Sequence, residues 1–121
     1  MTRAVAVFTV THGRLRLQVR VLPTVAAVNR EWQATCLPRM AGHVVNAYFM
    51  PGQLQPKAVG TVVFPANGRL AELVPHEVVH AVMHSIGGVH CTGDERLATS
   101  VGLLSARIFR QLDRRGIEVR P

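Results

Sequence analysis

The run HEVVH places His76, Glu77 and His80 where residue type and spacing can do chemistry. On a helix, residues four apart lie one above the other, so the two imidazoles project from one face and can reach a single ion together. A neutral imidazole ligates zinc at ~2.0–2.1 Å, and a catalytic zinc takes three protein ligands and leaves its fourth position to water. The metal acidifies that water, and Glu77 is placed to take its proton as general base and later deliver it to a leaving amine. The spacing therefore predicts a Zn2+ site with His76 and His80 as ligands and Glu77 as the catalytic base.

The surroundings of this run agree with a bound cation. Drawn as a helical wheel, Val78, Val79, Val82, Met83 and Ile86 make one apolar face, and His76, Glu77, His80 and His84 occupy the opposite side. From Leu70 to Glu95 there is no Lys or Arg, although Glu72, Glu77, Asp94 and Glu95, four of the seven acids of a basic chain, fall there. A third ligand must come from elsewhere, and the next helix offers Glu95 near its start. Thr92-Gly-Asp-Glu95 also reads as a capping box, in which the glutamate satisfies the helix N-terminus. Asp94, His84 and His90 stand as alternatives.

The elements that must position these residues follow from periodicity. Ala4 to Val10 is a nearly continuous β-branched and aromatic run, as in a strand buried on both faces. After a turn at His12-Gly13, Arg14 to Val21 alternates strictly, as a half-buried strand of a hairpin does. Thr24 is the expected N-cap of a helix running to about Ala34 that buries Val25, Val28 and Trp32. Strands are expected at about His43–Met50 and Ala58–Phe64, then a helix ending at Gly87-Gly88 and another from Thr92 to about Arg115, stopped by Gly116. In the last helix Glu95, Thr99, Gly102 and Ala106 share a stripe of small residues suited to close helix approach. Leu97, Val101, Leu104 and Ile108 form the stripe for the sheet, and Arg96, Arg107 and Arg114 face water. The order β-β-α-β-β-α-α predicts an α+β fold: a small mixed or antiparallel sheet of about four strands packed against the HEVVH helix and a second C-terminal helix.

A chain of 121 residues with 48% hydrophobic residues is expected to form one domain, residues 1–121, and excludes a disordered tail. A net charge of +7, carried almost wholly by Arg, admits a polyanionic partner without naming one. Cys36 and Cys91 match neither a disulfide framework nor a zinc-ribbon spacing. No signal-type or membrane-spanning apolar stretch is evident, so a cytoplasmic, soluble protein with no membrane role is expected.

HEVVH followed by a second helix reading ERLATSVGLL resembles the gluzincin arrangement of the ImmA/IrrE-type metallopeptidases. The resemblance covers roughly Ala58 to Leu104 and implies a zincin-like fold, with Glu95 completing the zinc site and Thr99 at the position of a polar residue touching a ligand histidine. It also implies a strand before the site helix that holds peptide substrate by strand addition, and a protein substrate, such as a regulatory DNA-binding protein. The metzincin pattern needs Gly and His where this chain has Met83 and Ile86. A SprT-like arrangement stays open through His90.

Three readings follow. In the first, a zinc metallopeptidase uses His76, His80 and Glu95 as ligands and Glu77 as base, docks substrate on the strand ending near Phe64, and polarises the carbonyl with Tyr48, His43, His84 or His90. In the second, a zincin-like protein binds metal or a partner without turnover. In the third, a nucleic-acid binder uses Arg14, Arg16 and Arg20 with Arg107, Arg110, Arg114 and Arg115.

Overall fold

The computed structural model describes residues 2–35, 44–52, 60–85 and 95–121. The chain folds as α+β in the order β1 (Ala6–His12), β2 (Leu15–Leu22), α1 (Val25–Thr35), β3 (Tyr48–Pro51), β4 (Gly60–Pro65), α2 (Leu70–Ser85) and α3 (Glu95–Arg114). The four strands make one mixed sheet ordered β1-β2-β4-β3, with β2 parallel to β4 and the other pairs antiparallel.

Local chemistry accounts for most boundaries. Gly13, with φ +58°, fills the first of two positions between the paired residues His12 and Leu15, where a type II′ hairpin needs a left-handed residue. Thr24 caps α1, its Oγ1 accepting the Ala27 N–H at 3.1 Å. α3 ends in a Schellman turn: Gly116 sits at φ +70°, the Ile117 N–H reaches the Leu112 carbonyl at 2.9 Å, and the Gly116 N–H reaches Asp113 at 3.0 Å. The Arg120 carbonyl then accepts the Ala71 N–H at 2.9 Å, tying the C-terminal residues to the first turn of α2.

One sheet face packs on α2 and α3 through Phe8, Leu17, Val19, Val62 and Phe64 against Val74, Val78, Ala81, Leu104 and Ile108. The other face is covered by α1, where Val28 and Trp32 meet Leu22, Tyr48 and Val63. Trp32 therefore belongs to the core layer, as expected.

Two expectations are corrected. β1 is not buried on both faces: Ala6, Phe8 and Val10 are buried while Val7 is 51% exposed, because α1 packs on β2 and β4 and the outer face of this edge strand stays open. The segment before β3 does not extend the strand back from Tyr48. The Asn29 amide takes both the Val45 carbonyl (2.6 Å) and the Val45 N–H (2.9 Å), which docks that segment on α1 in place of a ladder. The start of α2, which the sequence leaves open, is at Leu70, so that Pro75 lies inside the helix. His43, Ala58, Gly87-Gly88 and Thr92 lie outside the described residues.

Candidate metal centre

α2 carries the chemistry because two faces of one helix meet different surroundings. Leu70, Val74, Val78, Ala81 and Val82 bury themselves against sheet and α3, while His76, His80 and His84 stay exposed. Glu77 departs from the expected wheel in its burial alone: it is 6% exposed, covered on the side of the buried valines, while its carboxyl stays beside the histidines. One residue after His76 it falls at the border of the two faces, and the packing of α2 decides the side.

The imidazoles of His76 and His80 meet edge-on, ring centroids 5.0 Å apart, and their Nε2 atoms are separated by 3.4 Å. Two nitrogens at ~2.0–2.1 Å from one tetrahedral ion stand about 3.3 Å apart, so the pair already has the spacing of two ligands of one metal. Glu77 Oε1 lies 3.8 Å from His76 Nε2, and the ligand atoms of the three residues all fall within 4.8 Å of one another. This group can hold a metal ion. Burial pushes the Glu77 carboxyl above its ordinary range, and His80 and then His76 pull it back when protonated.

Glu95 is not brought to this group. It is exposed at the first residue of α3, and the stripe it shares with Thr99, Gly102 and Ala106 faces solvent; a Cβ on Gly102 would meet nothing within 4 Å. The expected close approach along small residues is therefore corrected. α3 meets α2 through its apolar stripe, with Leu104 against Ala81 and Val82, so Thr99 does not touch a histidine of the pair. Asp94 and His90 lie outside the described residues.

Beside the pair runs a cleft of about 500 Å3. Glu77, His80 and His84 form its polar wall; Val45, Ala47, Phe49 and Pro51 form the apolar one, with Trp32 and Tyr48 at its back. The Phe49 ring lies 5.7 Å from that of His84 and above Gly60, where an added Cβ would come within 2.6 Å of the ring and closer still to the Met50 carbonyl. Gly60→Ala is expected to lower stability by about 1–3 kcal/mol in urea denaturation, because β3 must shift to admit the methyl. A hollow of about 600 Å3 beside α1, lined by Thr2, Arg30, Glu31, Ala34 and Thr35, is larger, but among the described residues its one carboxylate pairs with Arg20 and no imidazole or thiol lines it.

Two expectations about the cleft change. β4, the strand ending near Phe64, is flanked by β2 and β3 and has no edge to offer a substrate; β3 is the edge strand beside α2. Tyr48 turns to the α1 side, its ring 5.2 Å from that of Trp32 and its hydroxyl bonded to Thr35. Burial first, then the negative charge of Glu31, pushes its pKa up to about 12, so it stays protonated. Of the residues considered for polarising a carbonyl, His84 stands in the polar wall, whereas His43 and His90 lie outside the described residues. The Asn29 clamp and the Phe49–His84 contact escaped the sequence reading. The alternation Tyr48/Phe49, which sends one ring to each sheet face, was the signal available for the second.

Among the described residues, no helix is long and apolar enough to cross a membrane. No family model, curated protein or solved structure matches the chain.

Proposed function

We propose that this chain is a zinc-dependent peptidase of the zincin type, acting on peptide bonds of a protein substrate. The observation that carries the reading is the 3.4 Å separation of the His76 and His80 Nε2 atoms with the buried Glu77 carboxyl beside them. The donor set of two imidazoles suits zinc; Glu95, the third ligand that the resemblance implies, stands apart from the pair, so the reading needs a third protein ligand beyond the two imidazoles. When bound, such an ion supplies Lewis acidity, which polarises a carbonyl and makes water a stronger acid.

The chain's own residues do the rest. Glu77 accepts the proton of the attacking water and returns it to the departing amine. The open edge of β3 hydrogen-bonds an extended substrate along the cleft, and the apolar wall of Val45, Ala47 and Phe49 receives a side chain. His84, held against Phe49, donates to the carbonyl oxygen as negative charge develops there.

One observation favours a second reading, a metal- or partner-binding protein without turnover: Glu95 stands exposed and apart from the pair. Metal removal tests the proposal. The purified protein is expected to carry one zinc per chain by elemental analysis and to cleave an unfolded protein substrate. Chelation should abolish cleavage and stoichiometric zinc restore it. Zinc bound without cleavage of any substrate in a broad peptide mixture would support the silent reading, and absence of zinc would end the peptidase and leave partner binding alone.

A further inference from the structure

The positive charge of this chain is unevenly placed, and its distribution points to a second partner independent of the metal site. α2 from Leu70 to Ser85 holds no Lys or Arg, whereas α3 from Glu95 to Arg114, with the adjoining Arg115, holds five Arg against two acids, Glu95 and Asp113. Leu103, Arg107, Arg110 and Arg114 recur at helical spacing, so they share one face, and Arg96 lies two turns earlier on the same line. All of these side chains are exposed.

The partners of these cations matter more than their number. Arg20 and Arg120 bond carboxylates, Glu31 and Glu118, which cancel their charge. Arg107 instead bonds the Thr11 carbonyl, and Arg115 lies 4.7 Å over the Phe8 ring and bonds the Gln111 side chain. Neutral partners hold a guanidinium in place and leave its charge whole. The Arg107 bond also sets α3 against the end of the β1–β2 hairpin, whose turn holds exposed Arg14; Arg16, alternating with Leu15 and Leu17, belongs to the opposite sheet face. The basic surface is therefore the arginine face of α3 itself, which lies beside β1.

We infer that this surface binds the phosphate backbone of nucleic acid. Forked guanidiniums, partly fixed in direction, suit phosphate oxygens. A membrane-surface helix would need apolar residues facing outward beside the cations. Here the apolar stripe of α3 is spent on the core, and Leu103, 40% exposed, is the single large apolar side chain on the arginine face. Such binding rests on charge alone and is expected to be independent of sequence.

The test is fluorescence anisotropy of the full chain with a labelled 20-base-pair duplex, titrated with salt, beside vesicles containing one-third phosphatidylserine. Three to four phosphate contacts predict a slope of log K against log salt of about −3. Arg110→Gln with Arg114→Gln should weaken binding more than about tenfold at 50 mM salt and reduce the slope by about 2, while Arg69→Gln, at the start of α2, changes neither. Thermal melts of both variants show whether the fold is kept; these side chains are exposed, so it should be. Failure of the duplex to bind at 50 mM salt, an unchanged slope in the double variant, an equal loss in Arg69→Gln, or retention on anionic vesicles in place of duplex would each overturn the inference. None of these outcomes bears on zinc content or cleavage, so this surface and the metal site stand or fall separately.

Discussion

Glu77→Gln is expected to lower the rate of substrate cleavage by about 10^2–10^4-fold while zinc content stays at one per chain. The amide keeps the shape of the carboxyl but cannot accept a proton, so a chemical role and a ligand role separate in one variant. The same substitution should raise the melting temperature of the metal-free protein. Burial lifts the folded-state pKa of Glu77 above its unfolded value, so the folded chain binds more protons than the unfolded one in the interval between the two. Stability from this group is then fully present below the ordinary carboxylate range and declines as pH rises through that interval. The glutamine variant lacks the decline, and melts recorded in chelator from pH 4 to 8 should converge with the parent at low pH and exceed it at high pH. A parent that cleaves as slowly as the variant, both holding zinc, would assign the site to binding alone. A variant less stable than its parent at every pH would show that the buried carboxylate has partners that stabilise it.

The second large effect is on the metal. His80→Ala should weaken zinc binding by more than about 100-fold, since loss of a direct ligand exceeds the 10–100-fold typical of residues that only orient ligands. Elemental analysis after dialysis should fall from one zinc per chain to none. His84→Ala is the informative companion: His84 lines the cleft with His80 but stands outside the group whose ligand atoms lie within 4.8 Å. It should keep its zinc and lose turnover, with kcat reduced and KM little changed. Loss of zinc from His84→Ala would make it the third ligand in place of Glu95, and unaltered kinetics would remove it from the chemistry.

Much of the frame was legible because it rests on local rules. Alternation from Arg14 to Val21, the Thr24 cap, the turn at Gly13 and the helix stop at Gly116 each have a mechanism that acts within a few residues, and each appears as expected. The pairing of His76 with His80 was legible for the same reason. What sequence could not decide was which of two equally suitable faces finds a neighbour. The run from Ala4 to Val10 reads the same whether one side or both are covered, and its position at the sheet edge settles that. Thr99, Gly102 and Ala106 suit a tight helix contact and suit solvent equally well, and α3 turned the larger Leu104 and Ile108 inward. Glu77 lies at a boundary of the wheel, and only the neighbours of α2 assign it to the interior. The identity of the edge strand depends on the order in which strands join, which periodicity does not encode.

The parallel pairing of β2 with β4 joins residues 17–22 to residues 60–65. Such a ladder cannot zip up from a turn; everything between the two strands must be arranged first, so a high loop-closure entropy precedes any gain. β3, four residues long, hydrogen-bonds in the sheet only to β4. The local β1–β2 hairpin is expected to form before the β2–β4 ladder in refolding. In the native ensemble β3, paired on one side among the described residues, should detach more readily than β2, so amide exchange at Phe49 and Met50 should outpace that of β2, and the proposed cleavage would be lost on warming before the sheet itself melts.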